Sequence, residues 1–208
     1  EIGCCDWSSD VCSSDLLKFM KKDHDLAQAY QAIDRLHEAG LIYDAHIMTG
    51  VAGKGRGMEN AEALAQFLNR TNPAHVVNFS MFLHKEVPLY QDIRQGTFVP
   101  ADELETIREE YHLIERIAPE KAGANILYDG FHDFIHVRVR GHLPGDKEKM
   151  LAKLNGIIQE YEGKEPVYSF VQGECPDLEY CDDGKAVWDM DRKRSEERRV
   201  GKECRKRW

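Results

Sequence analysis

The spacing of apolar residues in the first part of the chain predicts a helix followed by a short strand. Apolar side chains recur at the three- and four-residue intervals of one helix face over residues 26–39. Either Asp23 or Asp25 is expected to cap the amino end of this helix, since a short side-chain oxygen accepts from its unpaired amides. Gly40 is expected to end it, because the left-handed position after a last helical turn favours glycine. The apolar run at 41–48 is then predicted to be a strand.

Helices and strands alternate along the rest of the chain. A glycine-rich loop follows the first strand, and the next predicted elements are a helix near 59–70, a strand at 75–83, a helix at 101–117, a strand at 125–128 and a helix at 144–161, with irregular sequence beyond 163. This alternation is typical of βα units, in which helices connect parallel strands. The strands are too few to close an eight-stranded barrel. We therefore predict an α/β fold, a partial TIM-like (β/α) barrel of parallel strands with a helical C-terminal extension.

Both ends of the chain have the sequence of translated sequencing adapters rather than of a folded protein. The strings DWSSDVCSSDL at 6–16 and RSEERRVGKEC at 194–204 are translations of two common short-read adapters. Segments of such origin are set aside in reasoning about a fold. We therefore expect residues 1–16 and 194–208 to be adapter-derived, 17–163 to be the folded domain and 164–193 to be an irregular acidic tail.

Charge and cysteine content exclude several classes of protein. A net charge of −9 argues against binding to nucleic acid or to an anionic membrane, because both need clustered Lys and Arg. No apolar stretch of about 18 residues is present that would span a bilayer. Of the six cysteines, only Cys175 and Cys181 lie outside the adapter-like ends. Two thiols make no disulfide framework, so a reducing, cytoplasmic location is expected, and their spacing is wider than that of usual zinc pairs.

The glycine-rich loop after the first strand is the best local candidate for a binding site. Gly50, Gly53, Gly55 and Gly57 allow the backbone to approach a ligand closely. Loops at the carboxyl ends of strands are where (β/α) folds bind ligands. The residues match neither the Walker A phosphate loop nor the dinucleotide-binding glycine pattern. A plain surface turn is the alternative interpretation.

Two polar groups in the predicted strands admit both a functional and a structural interpretation. Asn78 and Ser80 share one face of the second strand, where they are expected either to line a substrate site or to be buried and hydrogen-bonded. His132, Asp133 and His136 have a spacing compatible with a metal on a helix, but a loop- or strand-like context does not hold such residues together. We therefore predict no metal site within the chain.

An acidic run lies on the helix predicted at 101–117. Its carboxylates, Glu109, Glu110 and Glu115, are interpreted as a solvated helical face rather than an acid–base pair, because charged runs on helices usually face water. No catalytic residue is identified from the pattern alone.

Five motifs occur in an order that indicates a known family. They are LLKFMKKDHDLAQAYQAIDRLHEAGL, HIMTGVAGKG, LNRTNPAHVVNFSMFL, VPLYQDIRQGTF and GHLPGDKEKML. In this order they resemble a helix pair, a strand with a GLPG- or GLGG-type loop, the next helix and strand, a PLY…GTF segment and a G-x-LP-x-DKE-x-LL segment of the radical S-adenosylmethionine (SAM) superfamily, in its elongator-type branch. The resemblance covers residues 17–161 and implies the C-terminal part of a barrel.

The resemblance implies two cofactors in the intact parent protein. In that superfamily a CxxxCxxC loop ligates three irons of a 4Fe–4S cluster and SAM chelates the fourth; the reduced cluster cleaves SAM to a 5′-deoxyadenosyl radical, which abstracts hydrogen from a substrate. This sequence contains no CxxxCxxC motif. The cluster ligands and the N-terminal half of the barrel are therefore expected upstream of residue 17, and the substrate stays unidentified.

The resemblance also implies cofactor-binding residues. Gly50, Val51 and Gly53 match the loop that lies against the adenosine of SAM in the family, although Ala52 replaces its usual proline. His46 and Met48 stand near the end of the first strand and are expected to face the barrel interior. The alternative is a non-catalytic (β/α) domain that binds a small anion or nucleotide at the glycine loop.

Overall fold

The computed structural model describes residues 14–170, in which helices alternate with strands. In chain order the elements are α1 (Ser14–Phe19), α2 (Leu26–Glu38), β1 (Asp44–Thr49), α3 (Gly57–Thr71), β2 (His75–Ser80), α4 (Leu89–Arg94), α5 (Glu103–Arg116), β3 (Ile126–His132), a 3-10 turn (Asp133–Ile135), β4 (Val137–Leu143) and α6 (Lys147–Tyr161). None of the helices in this part of the chain is long and apolar enough to span a bilayer. The alternation confirms the α/β class.

The helices begin and end at residues whose chemistry explains the boundary. Asp25 caps α2 through a reciprocal pair of 2.8 Å hydrogen bonds with Gln28. Gly40, with a φ of 71°, follows the last turn of this helix, as predicted. Asn72 adopts the left-handed conformation after α3, and Asp102 caps α5 by accepting from the amide of Glu105 at 2.8 Å.

The sheet is open and has the strand order β1-β2-β3-β4. The first three strands are parallel neighbours, and the helices between them are the crossover connections that parallel strands require. The prediction of purely parallel strands is wrong for β4, which returns through the 3-10 turn and pairs antiparallel with β3. Its apolar residues alternate with arginine and histidine, which is typical of a strand buried on one face only. A closed barrel is not seen in residues 14–170.

One face of the sheet is packed against helices. Side chains from α2, α3, α5 and α6 form a continuous apolar core with this face, which includes Ile33, Leu64, Leu68, Val76, Ile107, Leu113, Ile114, Ile126, Tyr128, Leu143 and Leu154. All of these are buried. Burial of this apolar area is the main contribution to folding, at about 25 cal/mol per Å².

The opposite face of the sheet is not covered by a helix in residues 14–170. We call this surface the open face; it consists of Asp44, His46 and Met48 from β1, His75, Val77 and Phe79 from β2, Leu127, Asp129 and Phe131 from β3, and Arg138, Arg140 and His142 from β4. Of these residues only Asp129 is buried, and the others are exposed or half-buried. Within residues 14–170 the protein therefore has two layers, helices and sheet, and the open face of the sheet is accessible to solvent.

A second, smaller core lies beyond the carboxyl ends of β1 and β2. It is formed by Leu16, Val51, Ala52, Met81, Leu83, Ile93, Phe98, Tyr168 and Phe170. The amide of Leu83 donates to the carbonyl of Ser169 at 2.7 Å, and Leu83 forms a parallel bridge with Phe170. Residues 168–170 thus pack beside the sheet, at the beginning of the segment predicted to be an irregular tail.

Candidate functional site

The first half of the loop that joins β1 to α3, residues 50–53, is buried, whereas Lys54 and Gly55 are exposed. Gly50, Gly53 and Gly55 have φ values of 83°, 80° and 80°, which only glycine adopts without strain. Residues 50–53 are inaccessible to solvent or nearly so. A Cβ atom on Gly53 would lie 2.8 Å from the carbonyl oxygen of Val99. Glycine is therefore required at position 53 for close packing, and this half of the loop is not a plain surface turn.

Most amides of this loop donate hydrogen bonds inside the protein. The donors are Gly50, Gly53, Lys54, Gly55 and Arg56. Two of their acceptors are carboxylates of α5: Glu109 accepts from Gly50 at 2.9 Å, and Glu105 accepts from Gly55. In phosphate-binding loops the amides point at the ligand instead. Two of the loop amides therefore anchor α5, and the five donors together leave little capacity for an anion.

Glu109 links the loop, α3 and α5. Its side chain accepts from the amide of Gly50 and from the side-chain amide of Asn60, and the residue is fully buried. Burial raises the pKa of Glu109 to about 8, although the hydrogen bonds from Gly50 and Asn60 lower it. A Cβ on Gly57 would lie 2.9 Å from Oε2 of Glu109, so glycine at the start of α3 makes room for the carboxyl group.

Glu103, Glu110 and His132 form a second buried group between α5 and the carboxyl end of β3. The Nδ1 atom of His132 lies 3.0 Å from Glu103 Oε2, and its Nε2 atom lies 3.1 Å from Glu110 Oε2. All three side chains are at most 1% exposed. Burial would lower the pKa of His132, but hydrogen bonds to the two carboxylates and their charges outweigh burial and raise it to about 10. His132 is therefore an imidazolium at neutral pH that donates from both ring nitrogens.

Neutral donors complete the hydrogen bonding of these two carboxylates. Glu110 Oε1 accepts from Asn78 at 3.1 Å and from the hydroxyl of Tyr128 at 3.0 Å. Burial and the neighbouring Glu110 hold the pKa of Tyr128 well above its usual value, so this hydroxyl stays protonated. Glu103 Oε1 accepts from Ser80 at 3.0 Å and also from Ser169. Each buried charge is thus paired and hydrogen-bonded, as burial of charge requires.

These contacts settle two of the interpretations drawn from the sequence. The assignment of Glu109 and Glu110 to a solvated helical face is wrong, because both are buried; Glu115, which is half-exposed, fits it. For Asn78 and Ser80 the structural interpretation is correct: both side chains are buried, face the helices and donate hydrogen bonds to Glu110 and Glu103.

We expect the Glu109→Gln variant to gain stability relative to the parent protein as the pH rises. Between its usual value of about 4.5 and its folded value of about 8, Glu109 is protonated in the folded chain and ionised in the unfolded chain. In this pH window the unfolded state binds fewer protons than the folded state. The carboxyl group of Glu109 therefore makes the free energy of unfolding of the parent protein fall as the pH rises. Glutamine cannot ionise, and the difference in unfolding free energy should grow in its favour by at least about 1 kcal/mol.

The measurement is urea denaturation of both proteins from pH 4.5 to pH 9. Glu115→Gln, on the exposed part of the same helix, is the matched control and should leave the profile unchanged. A constant difference between Glu109→Gln and the parent across this range would contradict the assignment of a neutral, buried carboxyl group.

The open face carries charged and aromatic groups near the carboxyl end of β3. Asp129 accepts from Nε and Nη2 of Arg138 at 2.8 and 2.6 Å, and Nε of Arg140 lies 3.6 Å from the same carboxylate. The hydrogen bonds from Arg138 hold the pKa of Asp129 below its usual value. The rings of Phe79 and Phe131 stack with centroids 5.4 Å apart.

The structure divides the five predicted cofactor-binding residues between two places. His46 and Met48 lie half-buried on the open face, and Met48 also packs against the second core. Gly50, Val51 and Gly53 lie beyond the carboxyl end of β1, and the side chain of Val51 is fully buried in the second core. The three loop residues therefore pack at the carboxyl end of β1. The two strand residues, by contrast, are accessible from the open face.

The histidines at 132 and 136 are not brought together. His132 lies in the buried group, whereas His136 is exposed in a left-handed turn with a φ of 57°. Among residues 14–170 no group of three or more His, Cys, Asp or Glu side chains is arranged so that it could hold a metal ion. These residues contain no cysteine either, and Cys175 and Cys181 lie outside the part of the chain that the structure describes. The described residues therefore do not fit a 4Fe–4S cluster, whose usual ligands are thiolates.

The residues of the buried group and of the open face that the sequence did not single out are Glu103, Asp129, Arg138 and Arg140. The alternation of valine with arginine after residue 136 was the signal for the last two, since period-two alternation indicates a half-buried strand. No family model matches the chain, and no curated protein or solved structure is found to match it.

Proposed function

We propose that this chain is the C-terminal part of a radical SAM enzyme, and that its open face lines the interior of the barrel. The observation that carries the proposal is the arrangement, within residues 14–170, of three consecutive parallel strands with helices on one face only. In a (β/α) barrel, helices cover the outer face of the sheet, and ligands bind at the carboxyl ends of the strands. The order of motifs in the sequence supports the same architecture.

The intact parent would carry out SAM cleavage. With its cofactors bound, such an enzyme uses an electron from a 4Fe–4S cluster to release a 5′-deoxyadenosyl radical, which abstracts hydrogen from a substrate. His46 and Met48 are the residues of this chain that would face SAM, and Gly50, Val51 and Gly53 would hold the edge of the sheet in place behind them. No step is assigned to the cluster, because its ligands are expected upstream. A cytoplasmic location belongs to this proposal.

The buried carboxylates have a positioning role in this proposal. Glu109 holds the amide of Gly50, and Glu103 and Glu110 hold the carboxyl end of β3 through His132. Together they fix the ends of β1 and β3 relative to α5. A ligand at the carboxyl ends of these strands would therefore contact a preorganised surface, which lowers the entropic cost of binding.

The alternative, a domain that binds a small anion at the glycine loop, has less support. The amides of the glycine loop are the groups that would bind the anion. Five of them already donate hydrogen bonds within the chain.

Recovery of the uninterrupted reading frame across both ends tests the proposal. We expect a CxxxCxxC motif ahead of residue 17, and anaerobic reconstitution of the complete protein with iron and sulfide should produce the absorbance of a 4Fe–4S cluster. The present 208-residue chain is the control and should show none under the same conditions. A complete reading frame without a cysteine loop ahead of residue 17 would overturn the proposal.

A further inference from the structure

Residues 167–170 lie beyond the carboxyl ends of the parallel strands, the edge of the sheet at which (β/α) folds bind ligands. The amide of Leu83, just after β2, donates to the carbonyl of Ser169 at 2.7 Å, and Leu83 forms a parallel bridge with Phe170. Tyr168, Ser169 and Phe170 are buried. The segment therefore extends the sheet beside the chain that leaves β2.

The segment takes the place of β1 beside this chain. The amide of Met81 still donates to the carbonyl of Thr49, the last residue of β1, at 2.9 Å, and β1 then turns into the glycine loop at Gly50. Met81 and Leu83 are buried whereas Phe82 between them is exposed, as in an extended chain whose alternate residues point to one side. The amides of Met81 and Leu83 therefore point to the same side, first to β1 and then to residues 169–170.

Glu103 ties the segment to α5 and to the ends of two strands. Its amide donates to the carbonyl of Val167 at 2.8 Å. Its Oε1 atom accepts from the hydroxyls of Ser80, at 3.0 Å, and of Ser169, while Oε2 lies 3.0 Å from Nδ1 of His132. The four side chains are buried, so loss of one partner would leave a polar group that water does not reach.

Apolar packing joins the segment to the glycine loop. Tyr168 and Phe170 belong to the second core together with Val51 and Ala52 of the loop; Phe170 is 1% exposed and Val51 is 0% exposed. The glycines that flank these two loop residues allow more backbone conformations than other residue types. The loop therefore needs contacts from outside it to keep one position. The carboxylates of α5 supply some of these contacts, and the second core supplies others.

We propose that residues 167–170 are a positioning element of the ligand-binding edge: through the second core they hold residues 50–53, and with them the end of β1, in place. A ligand at the carboxyl end of β1 would then bind with an affinity that depends on Ser169 and Phe170, although neither needs to touch it. That this ligand is SAM rests on the proposed function; that the segment holds the loop does not.

A role in general stability alone makes a different prediction. A segment that only buries apolar surface contributes to global unfolding, so that its weakening exposes all the slowly exchanging amides equally. A positioning element protects the loop locally, and its loss opens the loop in a protein that is otherwise folded. Exchange rates of individual amides separate the two roles.

Hydrogen exchange of the 15N-labelled 208-residue chain, followed by NMR, tests the proposal. The amides of Gly50 and Gly53 report on the loop, since both donate inside the protein, and the amide of Ile114, within α5, reports on the core between sheet and helices. In Phe170→Ala we expect exchange at the two glycines to accelerate at least about tenfold more than at Ile114. Phe170→Leu keeps most of the apolar contacts and should restore most of the protection.

Two more variants make the test specific. Ser169→Ala removes a donor to Glu103 without a large cavity, so it should accelerate exchange at the two loop glycines about tenfold and keep the fold, and it carries the test if Phe170→Ala does not fold. Leu154→Ala is the control, because Leu154 is fully buried in the core between sheet and helices; it should accelerate exchange at Ile114 at least as much as at the glycines. Equal acceleration of all three amides in Phe170→Ala, or unchanged exchange at the glycines in Phe170→Ala and Ser169→Ala alike, would overturn the proposal.

The two proposals fail separately. Exchange is measured without SAM or a cluster, so the absence of a cysteine motif upstream would leave its outcome unaffected. In the complete protein, Ser169→Ala should also weaken SAM binding about tenfold while the absorbance of the cluster stays the same. An unchanged affinity for SAM together with locally faster exchange would contradict binding of SAM at this edge and leave the positioning role in place.

Discussion

The His132→Leu variant is expected to lose about 3–5 kcal/mol of unfolding free energy, the usual effect of removing one partner of a buried ion pair. His132 is the only cation in contact with the carboxylates of Glu103 and Glu110 among the described residues. Both carboxylates are excluded from water. Leucine would leave two buried negative charges facing each other without compensation. Urea denaturation followed by circular dichroism at 222 nm measures the loss.

His136→Asn is the control for this prediction. His136 is exposed and has a φ of 57°, which asparagine tolerates, so its replacement should change stability by less than about 0.5 kcal/mol. A loss below about 1 kcal/mol for His132→Leu would show that the two carboxylates do not depend on the imidazolium.

The pH dependence provides a second check on His132. Its folded pKa of about 10 lies above the usual 6.5, so its contribution to stability is complete below about pH 6.5 and is lost as the pH rises to about 10. The parent protein should lose stability over this range, and His132→Leu should lack that part of the decrease. The Glu109→Gln variant removes the part of the decrease that begins near pH 4.5 and ends near pH 8. The two variants therefore differ below about pH 6.5 and above about pH 8.

Replacement of Gly130 by alanine is expected to destabilise the protein by about 3 kcal/mol or more, because the new methyl group has no space. A Cβ at this position would overlap Oε1 of Glu110. That oxygen cannot move cheaply, since it accepts from Asn78 and from Tyr128. The unfolding free energy from urea denaturation is again the measured quantity.

Two further variants separate this steric effect from a general effect of glycine. In Gly156→Ala the new methyl group lies within α6 and meets no other atom, so we expect a gain of about 0.5–1 kcal/mol. The double variant Gly130→Ala with Glu110→Ala should lose at least about 1 kcal/mol less than the sum of the single losses, because removal of the carboxylate makes room for the methyl group. Additive losses would exclude the overlap as the cause.

Local sequence signals were sufficient for most of the fold. The Asp25 cap, Gly40 and the Asn72-Pro73 pair mark helix boundaries by their own chemistry, and they do so without reference to the rest of the chain. Strand β4 was not predicted, because the sequence around His132 and His136 is compatible with either a loop or a strand. Its alternating valines and arginines identify a strand, but only the register with β3 shows that the strand is antiparallel.

The buried carboxylates could not be identified from the sequence in this way. Glu103, Ile107 and Glu110 lie at helical spacing on one face of α5, and a pattern of charged and apolar residues does not say which side of the stripe faces the sheet. The deciding partner, His132, is distant in sequence and approaches only when β3 pairs with β2. Tertiary contacts of this kind override the usual rule that glutamate on a helix faces water.

The antiparallel pairing of β4 has a consequence for the direction in which the sheet can be extended. With β4 at one border, the run of parallel strands stops at β3, while within residues 14–170 no strand pairs with the outer edge of β1. Any additional parallel strand contiguous with this run must therefore dock beside residues 44–49. A short peptide that adds as a parallel strand should therefore pair with β1, in the manner of donor-strand complementation.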